Sequence, residues 1–224
     1  MSNDSKKTDK MAKDLSLAES AYRYIKEDIL KNKFPSGEFI SISDLSESLE
    51  GMGRTPVREA VQRLHDERLL IVVPRKGIII PEFDIKKMMD QLEFRYVMER
   101  YATAKAAANI SEKRLEEVAE ILARMEKSEG KSSYELAQLN MEFHMKIVES
   151  FNNREMIQAL SKIYDHHIRI YTYFLANKMR LEYTHDEHIE ILNAIRSHDK
   201  DRIQAAVDKH YETTRIELLD SLMT

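Results

Sequence analysis

The sequence has no cysteine and only five glycines and four prolines among its 224 residues. Without cysteine there is no disulfide framework, no cysteine zinc site and no thiol nucleophile, so we expect a reducing, cytoplasmic environment. The scarcity of glycine and proline, with 33% charged residues, is typical of a soluble and mainly helical protein. The longest apolar runs, LLIVV and GIII, are too short to cross a bilayer, so we expect no membrane partner.

Neither sign of charge dominates the chain as a whole, whose formal net charge is −4. Residues 54–77, however, carry six Arg or Lys against three acidic residues, whereas 82–224 carry 21 against 26. Basic charge concentrated in one short stretch fits local contact with phosphates, although a solvated charged face gives the same count.

The hydropathy pattern predicts three segments, of which 1–14 is a polar, disordered tail. Residues 15–81 begin with a helix over 15–33, which is broken by FPSGEFI. A short helix capped by Ser43 follows, then a third helix capped by Thr55 with Pro56 in its first turn. LLIVVPRKGIIIP predicts two strands joined by a turn. This order indicates a winged helix-turn-helix.

Residues 82–224 are helical almost without interruption and predict an all-α bundle of about six helices, so the fold class is mainly α. We predict helices near 84–108, 111–128, 132–151, 154–178, 182–197 and 200–220, with Ser111, Ser132 and Asp199 as caps.

The third helix has features of a DNA-recognition helix. Val57, Ala60, Val61 and Leu64 share its apolar side, and Arg54, Thr55, Arg58 and Gln62 fall at its start or on another side. Arginine pairs with guanine edges or phosphate, and glutamine reads adenine, so we expect these four residues to bind double-stranded DNA. Arg75 and Lys76, at the hairpin tip, would reach the adjacent backbone or minor groove. Surface ion pairs with Glu59 or Glu67 are the alternative.

The stretch from LKNKFPSGEFI through GRTPVREAVQRLHDERLL to VPRKGIII resembles the DNA-binding domain of GntR-family bacterial transcription regulators. The resemblance implies that Arg54 and Arg58 are the main groove and phosphate contacts and that Gly77 lies at the wing tip. Gly53 departs from the usual Ser or Thr, and Ser43 stands where an Arg often contacts DNA. LEGMG is one residue longer than the usual turn.

Three histidines of the second segment lie on apolar sides of separate helices: His144, His188 and His210. His144 also follows Asn140 by one helical turn. Such histidines are either hydrogen-bonded core residues or ligands that converge on Zn, Ni, Fe or Mn. Arg95 follows the apolar Met88 and Leu92 on one helix side and precedes Glu99 by one turn, where it would pair with that residue. His167 also falls on an apolar side.

NMEFHMKIVESFNN and EHIEILNAIRSHDKDRIQAAVDKH resemble the FCD ligand-binding domain of the FadR subfamily of GntR regulators. The resemblance implies an all-helical domain that holds a divalent metal through Asp and three His and binds a small organic acid nearby. Arg95 is then a candidate to hold the carboxylate of this effector, with the pair to Glu99 as the alternative, and His167 is a candidate to line the effector cavity. The ligand positions are Asn140, His144, His188 and His210, and the amide in place of Asp predicts weaker metal binding.

We therefore predict a homodimeric transcription regulator, a repressor, that binds a palindromic operator under the control of an organic-acid effector. Two alternatives are a metal-dependent hydrolase that uses the three histidines and a regulator whose helical domain only dimerises. HDEHIE is not the His-Glu-x-x-His arrangement of such hydrolases, so we expect no enzyme activity.

Overall fold

The computed structural model describes residues 16–49, 52–127, 130–177 and 181–223, and the chain divides into two compact units between Glu82 and Phe83. The predicted tail over 1–14 lies outside the described residues. The first unit contains, in order, α1 (Leu17–Leu30), β1 (Phe39–Ile40), α2 (Ile42–Ser48), α3 (Arg54–Asp66), β2 (Ile71–Val73) and β3 (Gly77–Ile79). The predicted winged helix-turn-helix is confirmed.

Helices α1 and α3 pack together to form the core of this unit. The apolar side predicted for α3 is confirmed, because its buried residues are Val57, Ala60, Val61 and Leu64. At the edge of the contact, the Tyr22 hydroxyl donates to the Glu67 carboxylate at 2.9 Å. The Arg63 guanidinium lies 3.5 Å from the centre of the Tyr22 ring. These contacts fix the direction in which the opposite side of α3 faces.

The caps of α2 and α3 differ from the prediction. Ser41, not Ser43, caps α2 by accepting a hydrogen bond from the Asp44 amide at 3.0 Å. Helix α3 is capped by Gly53 without a side-chain hydrogen bond, so Thr55 is already inside the helix. Pro56 still falls in the first turn, where no intrahelical donor is lost.

The three strands form an antiparallel sheet in the order β1-β3-β2, with Phe39 and Ile71 both opposite Ile79. Gly77 begins β3 with a φ of +124°, and a Cβ at this position would lie 2.2 Å from the Ile40 carbonyl oxygen. Only glycine therefore lets the wing strand approach β1 this closely.

The second unit contains six helices among its described residues, the predicted number. They are α4 (Ile85–Ala106), α5 (Glu112–Glu126), α6 (Ser133–Phe151), α7 (Arg154–Asn177), α8 (Leu181–Ser197) and α9 (Lys200–Met223). The predicted caps form: Ser111 accepts from the Arg114 amide, Ser132 makes a capping box with Glu135, and Asp199 accepts from the Arg202 amide.

The described interior of the bundle combines apolar clusters with buried polar side chains. Phe143 and Ile147 of α6 are buried with Ile191 and Ile195 of α8, and α4 and α7 contribute to two further apolar clusters. The buried polar side chains include Arg95, Glu99, Asn140, His144, His167, His188 and His210. No described helix is long and apolar enough to span a bilayer.

Candidate nucleic-acid interface and metal centre

The start of α3 is positively polarised and faces solvent. Gly53 provides no capping side chain, and the first turn contains no acidic residue. Free amides at a helix N-terminus, together with the helix dipole, favour an anion. Arg54 and Thr55 are exposed at this end, so the local structure is suited to a phosphate.

The predicted DNA-contacting side chains of α3 are available for binding. Arg54, Arg58 and Gln62 are exposed, and within the described ranges neither arginine has an ion-pair partner. The alternative pairing with Glu67 is taken by another residue, because Glu67 contacts Arg63 at 3.4 Å. Gln62 donates to Asp66 at 3.1 Å on the surface, a contact that base recognition would replace.

A cleft of about 500 Å³ brings α3 together with the wing and the start of α2. Its lining includes five of the seven predicted DNA-binding residues: Arg58, Gln62, Arg75, Lys76 and Gly77. The other two, Arg54 and Thr55, lie at the exposed start of α3. The cleft therefore collects basic side chains from two elements that are separate in sequence.

The wing tip is a tight turn that exposes its two cations. The Lys76 amide donates to the Val73 carbonyl at 3.1 Å, and Arg75 has a φ of 67°. Both side chains are exposed, with the Lys76 ammonium 5.0 Å from the centre of the Phe39 ring. Gly77 lies immediately after the tip, as its place in β3 requires.

The second unit contains a buried cluster of the three predicted histidines, one each from α6, α8 and α9. The Nε2 atom of His144 lies 3.2 Å from Nε2 of His188 and 3.3 Å from Nε2 of His210. Three nitrogen ligands about 2.1 Å from one ion are about 3.0 to 3.4 Å apart in octahedral or tetrahedral geometry. Both distances from His144 fit nitrogen ligands of one metal ion.

Two carboxylates orient the cluster from behind. His144 Nδ1 lies 3.0 Å from Glu99 Oε2, and His210 Nδ1 lies 3.0 Å from Glu187 Oε2. In the neutral ring each Nδ1 carries the proton and donates it, which leaves an Nε2 lone pair directed into the cluster. Two such lone pairs at 3.3 Å cannot hydrogen-bond each other, and a cation between them resolves the conflict.

The protonation states of His144 and His188 favour metal binding. Burial lowers the pKa of His144 to about 3, although Glu99 opposes the shift. Burial, with the neighbouring His210 and His144, also lowers the pKa of His188 well below its usual value. Burial alone would raise the pKa of Glu99, but Arg95 and His144 outweigh it and hold that carboxyl ionised. Neutral imidazoles are ready metal ligands near pH 7.

Several buried polar atoms around the cluster have no hydrogen-bond partner among the described residues. They are Asn140 Oδ1, Arg95 Nη1, His188 Nδ1 and both ring nitrogens of His167. Arg95 pairs with Glu99 through Nε, which was one of the two interpretations of this residue from the sequence. Its Nη1 remains available for another acceptor. Unpaired buried polar groups are costly, so their concentration makes this interior a candidate ligand site.

The residues behind the histidines were not predicted in this role. Glu99 appeared only as a possible partner of Arg95, and Glu187 was not singled out. Tyr164 donates to Glu99 at 2.6 Å, and the Thr213 hydroxyl donates to Glu187. The one available signal was spacing, because Glu99 follows Arg95 by a helical turn and Glu187 precedes His188 directly.

These two sites define a class of protein. A winged helix-turn-helix with an exposed basic recognition helix, followed by a separate helical domain, is the organisation of a DNA-binding transcription regulator.

The comparisons with known proteins give the family. Residues 17–80 match the model "Bacterial regulatory proteins, gntR family", and residues 90–213 match the FCD domain. The chain therefore belongs to the FCD-containing GntR family and is a DNA-binding transcription regulator.

Named relatives agree with this assignment. The chain is 28% identical to the HTH-type transcriptional regulator McbR of Escherichia coli over 84% of this chain and 86% of McbR. It is 26% identical to the repressor GlaR of the same organism over 86% of this chain and 91% of GlaR. The solved structure of E. coli McbR/YncC superposes with a TM-score of 0.80 and 22% identity, covering 93% and 99% of the two chains. These relatives are transcription regulators rather than enzymes, which contradicts the hydrolase alternative.

Proposed function

We propose that the protein is a homodimeric repressor that binds a palindromic operator and responds to a small organic acid, held with a divalent metal in the helical domain. The observation that carries the proposal is the convergence of three histidine Nε2 atoms beside an unpaired, buried Arg95 Nη1. One relative, GlaR, is named a repressor. The DNA-binding class is given by the family, and the control by ligand is our proposal.

Operator recognition is assigned to α3 and the wing. Arg54 and Thr55 meet phosphate at the helix start, Arg58 and Gln62 contact base edges or phosphate in the major groove, and Arg75 and Lys76 reach the flanking groove or backbone. Gly77 shapes the wing. Two copies related by a two-fold axis would contact two half-sites of a palindrome.

The metal is assigned to His144, His188 and His210, with Asn140 as a neutral fourth ligand one turn before His144. Zn, Ni, Mn or Fe suit imidazole ligands, and the bound ion would supply positive charge and open coordination positions for an acid. Arg95 Nη1 would donate to the acid, and His167, which is fully buried, would line the same interior. The unpaired polar atoms argue against a helical domain that only dimerises.

Dimerisation is assigned to an exposed apolar stripe on α4, formed by Phe94, Val97 and Tyr101. These side chains are 41%, 57% and 51% exposed, which is unusual for three neighbouring apolar residues on one helix side. Asp90 and Lys105 lie at opposite ends of the stripe. If two copies of α4 cross antiparallel about a point between Val97 and Met98, each Asp90 faces the partner's Lys105, so the stripe is self-complementary.

Selection of random duplex DNA by the purified full-length protein tests this function. We expect one palindromic sequence to be enriched, and its enrichment to change when a divalent metal and a panel of organic acids are added. Arg58→Ala should fail to enrich the sequence. Arg196→Ala, which removes an exposed arginine of α8, is the charge-matched control. Equal enrichment by Arg58→Ala would contradict the assigned DNA surface, and no response to any metal and acid would contradict the ligand control.

A further inference from the structure

The side chains assigned to the metal carry no negative charge. Three are imidazoles, which bind metals in the neutral form, and the fourth is the carboxamide of Asn140. Asn140 is 2% exposed, and its Oδ1 has no partner among the described residues. None of the direct ligands of a divalent ion bound here would be an anion, so the positive charge of the ion would not be neutralised by its ligands.

The nearby carboxylates cannot supply that charge directly. Glu99 is occupied by His144 Nδ1, the Tyr164 hydroxyl and the Arg95 guanidinium, and Arg95 also cancels its charge. Glu187 is held by His210 Nδ1 and the Thr213 hydroxyl. Both carboxylates stand behind the imidazoles, where they orient the rings rather than ligate an ion.

We propose that an anionic ligand completes the charge of this site, so that the metal ion and a carboxylate bind cooperatively and the neutral Asn140 is the residue that makes each depend on the other. The inference rests on the metal and effector sites of the proposed function. A carboxylate on the open side of the ion would place one oxygen on the metal, and Arg95 Nη1 has a free donor for the other. By linkage, each ligand raises the affinity of the other by the same factor.

Calorimetric titration of zinc into full-length, chelator-stripped protein tests this, with about 50 mM sodium acetate or with sodium chloride at equal ionic strength. Acetate is the probe because it binds free zinc only weakly. We expect acetate to raise the zinc affinity of the natural protein by about tenfold or more, within the usual range of coupling between sites. Asn140→Asp should bind zinc at least about tenfold more tightly in chloride and gain less than about threefold from acetate, because it supplies the charge itself.

Asn140→Ala is the matched variant, because it removes the amide but adds no charge and should keep the dependence on acetate. Thermal unfolding in chelator establishes that each variant is folded, which matters because Asn140→Asp would bury a carboxylate in the metal-free protein. Tight zinc binding by the natural protein without acetate, or an equal acetate effect in Asn140→Asp, would overturn the inference and leave the metal site standing. No zinc binding by any folded variant would overturn the metal site and the inference together, while the DNA selection would still report on operator binding.

Discussion

At the scale of single residues, two arginines of α3 have different tasks. Arg63 is anchored, because it contacts Glu19 at 2.8 Å and lies over the Tyr22 ring. Arg58, just over one turn earlier, is exposed and has no ion-pair partner in the described part of the chain. Arg63 therefore holds α3 on α1, and Arg58 is available for the DNA contact that we propose.

Substituting these two arginines should separate stability from binding. We expect Arg58→Ala to weaken operator binding by about 10- to 100-fold with an unchanged melting temperature. Arg63→Ala should lower the free energy of unfolding by about 1 kcal/mol, the sum of an exposed ion pair and a cation–π contact, with a smaller effect on binding. Fluorescence anisotropy at several salt concentrations and urea unfolding measure both. If Arg58 contacts phosphate, its loss reduces the slope of log affinity against log salt concentration by about one. If Arg58 contacts a base, the slope stays unchanged.

His167 should make the stability of the metal-free protein depend on pH. Burial, with the charge of Arg95, lowers the pKa of His167 well below its usual value, so the folded protein keeps this ring neutral. The unfolded chain takes up a proton near pH 6.5, so stability falls as the pH drops below that value. Between about pH 6.5 and 5 one such histidine costs up to about 2 kcal/mol.

Urea unfolding in chelator at about pH 7 and pH 5 measures this effect against His167→Gln. We expect the variant to lose less stability on acidification than the natural protein. His144 and His188 contribute a loss of the same sign to both proteins. Burial raises the pKa of Glu217 to about 7, which acts in the opposite direction but also cancels in the comparison. An identical loss in the two proteins would contradict a neutral, buried His167.

The histidines could be predicted from sequence, but their carboxylate partners could not. Helical periodicity places His144, His188 and His210 on buried sides, and the family resemblance predicts that they are ligands of one metal ion. Glu99 and Glu187 reach the cluster across helix contacts, and their spacing from Arg95 and His188 along the chain does not show which histidine each one contacts. An acidic residue in a charged helical stretch is usually solvated, so burial had to be observed before either residue could be assigned.

At the scale of elements, the periodicity of apolar residues predicts the helices well and their ends less well. The predicted cap Ser43 and the actual cap Ser41 both precede the buried Leu45, so the local pattern cannot choose between them. Gly53 caps α3 although Thr55 is the better capping residue by preference. Residue preference alone therefore does not decide where that helix begins.

The wing depends on one glycine. Ala at position 77 would place its Cβ 2.2 Å from the Ile40 carbonyl oxygen, so β3 and β1 must separate. We expect Gly77→Ala to lower stability by about 1–3 kcal/mol and to weaken operator binding. Gly130→Ala is the control, because that glycine also has a positive φ but no atom within 4 Å of the added Cβ. Equal losses in the two variants would assign the effect to backbone strain alone.

The α4 stripe should control assembly. Val97→Glu places like charges close to the proposed two-fold axis and should weaken dimerisation by about 100-fold or more. Ile189→Glu, at a residue of α8 that is 39% exposed, is the control. Asp90→Lys alone should weaken the dimer, and the double exchange Asp90→Lys with Lys105→Asp should restore it. Sedimentation velocity measures each variant, and a natural protein that is monomeric at micromolar concentration would contradict the assignment.

At the scale of the whole molecule, the proposed operator and effector sites lie in different domains, so the proposed control requires a coupling free energy between them. A ligand changes DNA affinity only if it binds one conformational state more tightly than the other. The fold and the DNA-binding class follow from the family, but this coupling does not, because it is a difference between two states rather than a property of one. It therefore has to be measured in both directions.

We expect zinc with an organic acid that the protein binds to lower operator affinity by at least about fivefold, and chelator to reverse the change. His188→Gln should bind the operator as the metal-free natural protein does and show no response. Because binding linkage is reciprocal, saturating operator DNA must lower the affinity for zinc and acid by the same factor. Calorimetry with and without the operator measures that factor. Unequal factors would mean that the ligand acts on free DNA or on aggregation, whereas equal factors would place the effect in the regulator itself.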